Sequence, residues 1–145
     1  MDQIFSFMEI MKELLMDGYK RRTNRAFSKF RDKCRIGDIM HIYIKQRTPE
    51  SEFLFDARCI NKFYWNINDA PEDEKLARKI ESPIENETWE EFALKDGFNF
   101  YQEFLDYFRN HPKKTLDFIC FIFTPNLMEQ YKIPNFRQIT EFIEV

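Results

Sequence analysis

Apolar side chains recur at helical spacing at the start of the chain. This spacing predicts a first helix of about three turns, carried by Ile4, Met8, Met11 and Leu15. Gly18 follows this stripe, at a position where a helix commonly ends on a residue with positive φ. The sequence therefore predicts a helix that ends at Gly18.

Strand-like patterns occupy the middle and the later part of the chain. Residues 39–45 are rich in Ile and Tyr, and in residues 52–65 apolar side chains alternate with more polar ones. A Pro-Glu-Ser turn at 49–51 separates the two runs, so they are predicted to form a β-hairpin. Residues 116–123 are apolar on both faces, which is typical of a strand inside a sheet.

Two helices and a long excursion are predicted between these strands. Residues 89–94 suit one helix, and residues 99–110 form an amphipathic second helix. Asn99 followed by Gln102 is a capping-box pattern, which places the start of the second helix directly after Gly97. Residues 66–88 are acidic and interrupted by prolines, so they are predicted to be a surface excursion with a short helix at 73–79. The last 21 residues fit a strand and a helix equally well.

The composition is that of a folded single domain. The chain has 145 residues, of which 43% are hydrophobic and 17 are Phe, unlike the polar composition of disordered chains. Its longest uncharged stretch, residues 118–128, is about half of the roughly 20 residues needed to span a bilayer. The first residues lack the basic flank of a secretory signal. We therefore expect one domain over residues 1–145, cytoplasmic and without a membrane partner.

Cysteine and histidine give no sign of a metal site. The three cysteines are far apart and form no CxxC pattern, and the two histidines have no ligand cluster near them. Cys59 and Cys120 lie in apolar strand-like runs and are expected to be reduced core thiols. The sequence therefore predicts no metal, no other cofactor and no histidine-based triad.

Charge is distributed unevenly along the chain. The formal net charge is −3, but residues 17–35 hold eight basic and two acidic residues. Residues 69–103 hold eleven acidic and four basic residues. Both runs could be ordinary solvated faces, or the basic run could bind an anionic partner while the acidic 66–88 segment meets a protein.

The basic run contains a motif that begins at Gly18. Residues 18–25 read G-x-K-x-x-T-x-R, which supplies a lysine, a hydroxyl and a guanidinium at Lys20, Thr23 and Arg25. Alternate side chains of an extended segment share a face, so Thr23 and Arg25 can project together. Lysine supplies a point charge or a base, and arginine supplies a planar fork for phosphate or a base edge. The alternative is that Lys20 and Arg25 pair with acids of the 66–88 segment.

This motif resembles the G-x-K-x-x-E-x-R signature of the ASCH superfamily, with Thr23 in place of Glu. The Gly37-Asp38 turn before the strand at 39–45 resembles a second landmark of that family. Asp96-Gly97-Phe98 before a helix resembles a third, so the chain's three glycines all fall in these segments. The resemblance covers residues 1 to about 124. It implies an α+β, PUA-like fold: a small, mostly antiparallel β-barrel of five or six strands, flanked by the first helix and the 99–110 helix.

The resemblance further implies an RNA-binding or nucleotide-binding domain with a basic cleft. The ligand-binding residues expected on this interpretation are Gly18, Tyr19, Arg21, Arg22, Arg25 and Trp65. Aromatic side chains near the motif could stack on an unpaired base: Phe27, Phe30, Phe63, Tyr64 and Trp65. Most aromatic residues are expected in the core, and Tyr19 and Trp65 are the expected exceptions.

Some ASCH proteins are amidohydrolases that deacylate acetylcytidine. The resemblance implies that Thr23 would then be the nucleophile, Lys20 its base and Asp96 the group that orients Lys20, without a metal. This requires Asp96 to lie close to Lys20. Asp96 is one methylene shorter than the family's Glu, which is a departure from the pattern. Ribonuclease-like activity and a protein-interaction role also stay open.

Overall fold

The computed structural model describes residues 1–71 and 87–125 of the chain. Within these ranges, five strands form one sheet in the order β1-β3-β4-β5-β2, and the sheet curls into a half-barrel. The strands are β1 (Gln3–Phe7), β2 (Arg22–Ala26), β3 (Ile39–Ile44), β4 (Glu52–Asn66) and β5 (Asp117–Pro125). All neighbouring pairs are antiparallel except β1 and β3, which are parallel.

Short helices flank the sheet. They are α1 (Lys12–Met16), α2 (Lys29–Asp32), α3 (Trp89–Lys95) and α4 (Tyr101–Arg109), with 3-10 turns at Glu9–Met11 and Ile67–Asp69. The combination of helices with a mostly antiparallel curled sheet is the α+β, PUA-like architecture predicted from the sequence.

The predicted first helix is wrong over its first half. Residues 3–7 form strand β1, and only residues 9–16 are helical. Phe5 and Phe7 are buried while Ile4 is 40% exposed, so the burial pattern alternates as in a strand. All five β1 residues lie in register with β3, and this strand pairing outweighs the weak helical preference of so short a segment.

The predicted hairpin and interior strand are confirmed. Strands β3 and β4 pair antiparallel with a bulge between Ile42 and Tyr43. Strand β5 lies between β4 and β2, and residues 118–123 are all buried. Apolar runs separated by turn residues predicted these elements correctly. In these segments the local strand preference, the strand pairing and the burial of the side chains all favour the same structure.

The predicted helix at 89–94 is confirmed as α3. The capping box, however, was predicted for the second helix, α4, and is found at α3. Thr88 caps α3: its Oγ1 accepts the N–H of Glu91 at 3.2 Å, and the Glu91 carboxylate accepts the N–H of Thr88 at 3.3 Å. Helix α4 begins at Tyr101 without a side-chain cap. Asn99 donates its N–H to the Glu103 side chain and does not cap the helix.

The core has two parts, one on each face of the sheet. Trp65, Phe92, Phe104 and Phe118 belong to the part that α3 and α4 cover. Phe5, Phe55 and Phe121 belong to the part enclosed by the curl of the sheet. Cys34, Cys59 and Cys120 are all buried free thiols, as expected for the last two.

Some sequence predictions lie outside the described residues. These are most of the acidic 66–88 excursion, its short helix at 73–79, and nearly all of the last 21 residues. In the described part of the chain, no helix is long and apolar enough to cross a membrane.

Candidate functional site

The turn at Gly18 brings Lys20 into the interior. Gly18 follows α1 with φ of +83°, the left-handed conformation predicted for it. Tyr19 donates its N–H to Asp17 Oδ1 at 2.8 Å, and Lys20 donates its N–H to the Leu14 carbonyl at 2.9 Å. The chain therefore folds back against α1 before it enters β2.

The end of α3 provides the acidic partner of Lys20. Asp96 is the C-terminal cap of α3 and is followed by Gly97, whose φ is +105°. Lys20 Nζ donates to Asp96 Oδ1 at 2.7 Å and also to the Asp96 backbone carbonyl. Lys20 is 3% exposed and Asp96 is 5% exposed. The close approach of Lys20 and Asp96, expected from the resemblance, is confirmed.

Burial changes the protonation behaviour of Lys20. Desolvation lowers the pKa of the ammonium, the Asp96 carboxylate opposes this by charge and hydrogen bonding, and the charge of Arg25 lowers it further. The net direction is downward. Lys20 therefore gives up its proton more readily than an exposed lysine.

Strand β2 places Thr23 and Arg25 on one face, beside Lys20. Arg25 Nε donates to Thr23 Oγ1 at 2.8 Å, and Arg25 Nη2 donates to the Ser6 carbonyl of β1 at 2.8 Å. The guanidinium carbon lies 4.8 Å from the centre of the Phe7 ring. Burial lowers the pKa of Arg25 to about 10, so the group remains cationic at neutral pH. Because Thr23 Oγ1 accepts from Arg25, its own hydrogen is available to a ligand or a base.

A cavity of about 250 Å³ lies beside strands β1 and β2, the two edges of the curled sheet. It is lined by the three residues expected to be catalytic, Lys20, Thr23 and Asp96, and by Arg25, one of the six expected to bind ligand. Arg31 and Lys113 also line it, so four cationic side chains face a single carboxylate. Aromatic rings form much of the remaining wall, and they are Phe7, Phe98, Tyr107, Phe108 and His111.

Sequence reasoning missed the part of the cavity contributed by α4 and the loop after it. Tyr107, His111 and Lys113 lie more than 80 residues after the glycine motif, and no local pattern connects them with it. His111 Nδ1 accepts the N–H of Lys113 at 3.2 Å, so its Nε2 carries the hydrogen when the ring is neutral. Burial, with the charges of Lys113 and Arg25, lowers the pKa of His111, which favours that neutral form at pH 7.

The other residues expected to bind ligand do not line the cavity. They are Gly18, Tyr19, Arg21, Arg22 and Trp65. Arg22 makes two hydrogen bonds to the Glu87 carboxylate, at 2.8 and 2.9 Å, on the opposite face of β2. Arg21 is buried and donates to Thr124, and the Tyr19 hydroxyl donates to the Leu94 carbonyl.

The expectation that Trp65 lies outside the core is wrong. Its side chain is 6% exposed, and its indole Nε1 donates to Asn24 Oδ1 at 2.8 Å. It stacks on Phe118 with ring centres 4.9 Å apart. Because neighbouring residues of a strand face opposite sides, burial of Trp65 leaves Tyr64 on the other face, where it is exposed.

The sequence left open that Lys20 and Arg25 pair with acids of the 66–88 segment. In the described residues, such a pairing is made by Arg22 instead. Lys20 pairs with Asp96, and Arg25 bonds to Thr23 and Ser6, whereas Arg22 pairs with Glu87. Among the described residues, no group of three or more His, Cys, Asp or Glu side chains is arranged to hold a metal ion.

Comparison with known proteins gives a result at the level of fold. No family model matches the sequence, and no curated protein matches it significantly. The hypothetical protein PH0355 has a similar solved structure, with 16% identity and a TM-score of 0.52 over 87% of this chain and 100% of that chain. ASCH from Zymomonas mobilis matches with 14% identity and a TM-score of 0.52 over 94% of this chain and 81% of that chain.

A mutant form of the Zymomonas mobilis protein gives the same result. It matches with 15% identity and a TM-score of 0.53 over 94% of this chain and 82% of that chain. At these identities the likeness establishes the fold. The fold predicted from the three glycine segments is therefore confirmed.

Proposed function

From this ASCH-type fold and its cavity, we propose that the protein binds RNA or a nucleotide-like ligand between strands β1 and β2. The observation that carries the proposal is the composition of the cavity wall, which combines four cationic side chains with five aromatic rings. A nucleotide has the matching parts, a phosphate and a planar base.

The cationic part of the wall suits the phosphate. Arg25 and Arg31 are partly withdrawn from water, and burial lowers the pKa of both. A charge in such an environment attracts an anion more strongly than an exposed charge does. Lys113 is exposed and lines the same cavity, which makes it a further phosphate contact. Lys20 and Asp96 neutralise each other, so the net positive charge of the wall comes from Arg25, Arg31 and Lys113.

The aromatic part suits the base. Phe98, Tyr107 and His111 offer ring faces on which a base can stack, as aromatic residues do in proteins that bind unpaired RNA. The Thr23 hydroxyl can donate to a polar atom at the edge of the base. A volume of about 250 Å³ lies below the roughly 300–1,000 Å³ of pockets for drug-sized ligands, so the cavity suits a single nucleoside unit.

Binding can be tested by titrating single nucleotides and short single-stranded RNA at two salt concentrations. Substitutions Arg25→Ala and Lys113→Ala should weaken binding, and each should reduce the salt slope by roughly 0.7 for every phosphate that the variant no longer binds. Lys20→Ala should also weaken binding, and its thermal unfolding must be measured in parallel because Lys20 is buried. Arg58→Ala is the control, because Arg58 is exposed and lies outside the cavity.

Two results would contradict the proposal. Equal weak binding by the wild type and by Arg25→Ala would indicate that the cavity does not hold the ligand, and would favour a protein-interaction role. Binding that does not depend on salt would argue against a phosphate contact. Shortening of the RNA during the titration would instead indicate ribonuclease-like activity.

Amide hydrolysis of a modified nucleoside is a second candidate, and the Lys20–Asp96 contact favours it. On this mechanism, Thr23 Oγ1 attacks the amide carbonyl carbon, and its proton passes to the Lys20 amine, which must first be deprotonated. The carbon–nitrogen bond breaks, the amine leaves with a proton, and water then hydrolyses the Thr23 ester. The hydrogen bond from Arg25 helps because it stabilises negative charge on Thr23 Oγ1.

The described hydrogen bonds join Lys20 to Asp96 and Thr23 to Arg25, and none joins Lys20 Nζ directly to Thr23 Oγ1. A ligand or a water molecule between them would have to complete the relay. The assay is release of cytidine from acetylcytidine in the presence of a chelator. Thr23→Ala, Lys20→Ala and Asp96→Asn should abolish or strongly reduce turnover, while Thr23→Ser should retain part of it. Turnover that is lost on chelation, or undiminished in Lys20→Ala, would exclude this mechanism.

A further inference from the structure

Three large aromatic side chains outside the cavity are exposed to solvent, one on β4 and two on the segment from the end of β2 into α2. Phe27 is 42% exposed, Phe30 is 55% exposed and Tyr64 is 57% exposed. The ring centres of Phe27 and Tyr64 are 6.4 Å apart. The Tyr64 hydroxyl donates to the Asp32 carboxylate, and Asp32 belongs to the same short helix α2 as Phe30. We refer to Phe27, Phe30 and Tyr64 as the aromatic platform.

The platform is held in place by ordered local structure. Phe27 continues from β2 and donates its N–H to the Asp117 carbonyl at 2.9 Å. Ser28 caps α2, because its Oγ accepts the N–H of Arg31 at 3.0 Å. Helix α2 nevertheless buries none of its four residues. Clustered exposed aromatic residues on an ordered surface commonly mark an interaction site.

The charges around the platform indicate which kind of partner it fits. Lys29, Lys33 and Arg35 are exposed and lie within and just after α2. Asp32 is the acidic residue of this helix, and Lys62 Nζ donates to its Oδ1 at 2.9 Å. Residues 26–35, the segment that carries Phe27 and Phe30, therefore hold four basic residues and one acidic residue. Aromatic faces interspersed with basic side chains match the stacked bases and phosphates of a single-stranded nucleic acid.

The platform adjoins the cavity. Arg31 lines the cavity, and its guanidinium carbon lies 6.0 Å from the centre of the Phe30 ring. Ala26 also lines the cavity and directly precedes Phe27. A strand with one nucleotide in the cavity would therefore lead directly onto the platform.

We propose that the aromatic platform stacks the unpaired bases next to the nucleotide that occupies the cavity, so that the ligand is a single-stranded polynucleotide and not a free nucleoside. This inference rests on the proposed function, and it assigns a role to residues outside the cavity.

The test compares the binding of a single nucleotide with that of a single-stranded RNA of about eight nucleotides, by fluorescence anisotropy. Phe30→Ala and Tyr64→Ala should each weaken RNA binding by roughly 5-fold to 150-fold, the loss of one base–aromatic stack. Binding of the single nucleotide should not change. Tyr64→Phe keeps the ring and loses the bond to Asp32, so it should bind RNA like the wild type. Phe53→Ala is the matched control, because Phe53 is 48% exposed and lies at the other end of β4.

The possible outcomes separate the two proposals. Wild-type binding of both ligands with no loss of RNA affinity in Phe30→Ala and Tyr64→Ala would overturn the platform and leave the cavity proposal standing. An equal loss in Phe53→Ala would also overturn the platform. If the wild type binds neither ligand, both proposals fail. Since the substituted side chains are exposed, unchanged thermal unfolding is expected, and it confirms that a loss of binding is not a loss of fold.

Discussion

At the scale of single residues, the cavity contains a buried ion pair, Lys20 and Asp96, in which each charge needs the other. Lys20 and Asp96 are nearly buried, and each offsets the cost of desolvating the other. Removing one partner of such a pair leaves an uncompensated buried charge, which typically costs about 3 to 5 kcal/mol. Loss of activity in Lys20→Ala must therefore be compared with its loss of stability, whereas Lys113→Ala tests the cavity charge without this complication.

We predict that Gly97→Ala destabilises the protein by roughly 1 kcal/mol or more. Gly97 has φ of +105°, which an alanine adopts only with strain, and an added Cβ would lie 3.0 Å from Met11 Sδ. The free energy of unfolding in urea measures this effect.

Gly37→Ala is the control for the contact with Met11. Gly37 has a similar φ of +98°, but an added Cβ would meet nothing within 4 Å. It should therefore show the backbone strain alone and lose less stability than Gly97→Ala. An equal or smaller loss in Gly97→Ala would show that the close contact has no energetic consequence.

At the scale of elements, helix α3 determines where Asp96 lies. The helix has seven residues, the reciprocal bonds between Thr88 and Glu91 cap its start, and Asp96 caps its end. Phe92 and Ala93 anchor it on the sheet. A helix this short has little stability of its own, so its cap and its packing both contribute to the position of the Asp96 carboxylate.

Removal of this cap should be measurable. Thr88→Ala is expected to lower the free energy of unfolding by about 1 kcal/mol, within a typical range of about 0.5 to 2 kcal/mol, because the N–H of Glu91 loses its partner. Thr88→Ser keeps the hydroxyl and should remain close to the wild type. Thermal unfolding of the three proteins decides the matter, and equal stability of Thr88→Ala and Thr88→Ser would show that the cap contributes nothing.

At the scale of the whole molecule, the two edge strands of the half-barrel, β1 and β2, are connected by side chains and not by strand pairing. Strand β1 pairs with β3 on one side only among the described residues. On its other side, the Ser6 carbonyl accepts from Arg25 and the Ile4 carbonyl accepts from Arg31 at 2.9 Å. An arginine side chain spans a larger distance than a direct backbone hydrogen bond between two strands. These arginines therefore connect to β1 and still leave space for the cavity between β1 and β2.

We therefore expect Arg31→Met to loosen β1. The substitution keeps much of the apolar stem but removes the hydrogen bonds to Ile4 and Gln3. Amide hydrogen exchange in β1 should become faster, with a loss of local stability of about 1 kcal/mol, while exchange in β5 stays the same. Arg58→Met loses a comparable bond, to the Gly37 carbonyl, at an exposed site away from this edge. Faster exchange of β1 in Arg58→Met, or unchanged exchange in Arg31→Met, would contradict this account.

The sequence by itself determined the features that depend on neighbouring residues. The β3–β4 hairpin, the interior strand β5 and helix α3 follow from apolar runs and turn residues, which act over a few positions. The positive φ of Gly18 and Gly97 follows from the steric freedom of glycine at the end of a helix. The grouping of Lys20, Thr23 and Arg25 follows from their spacing in one motif, and the contact of Lys20 with Asp96 was expected only through the family resemblance.

Only the tertiary structure decided the conformation of residues 3–7, which side chains of β4 are buried, and which residues form the cavity wall. Residues 3–7 became a strand because β3 offered a partner, and no local pattern contains that partner. Trp65 went to the core and Tyr64 to the surface because the register of β4 determines which alternate side chains face α3 and α4. Tyr107 and Phe108 of α4 and His111 after it supply much of the aromatic wall of the cavity, far along the chain from the glycine motif. Such contacts depend on how elements pack together, which the order of residues within one segment does not specify.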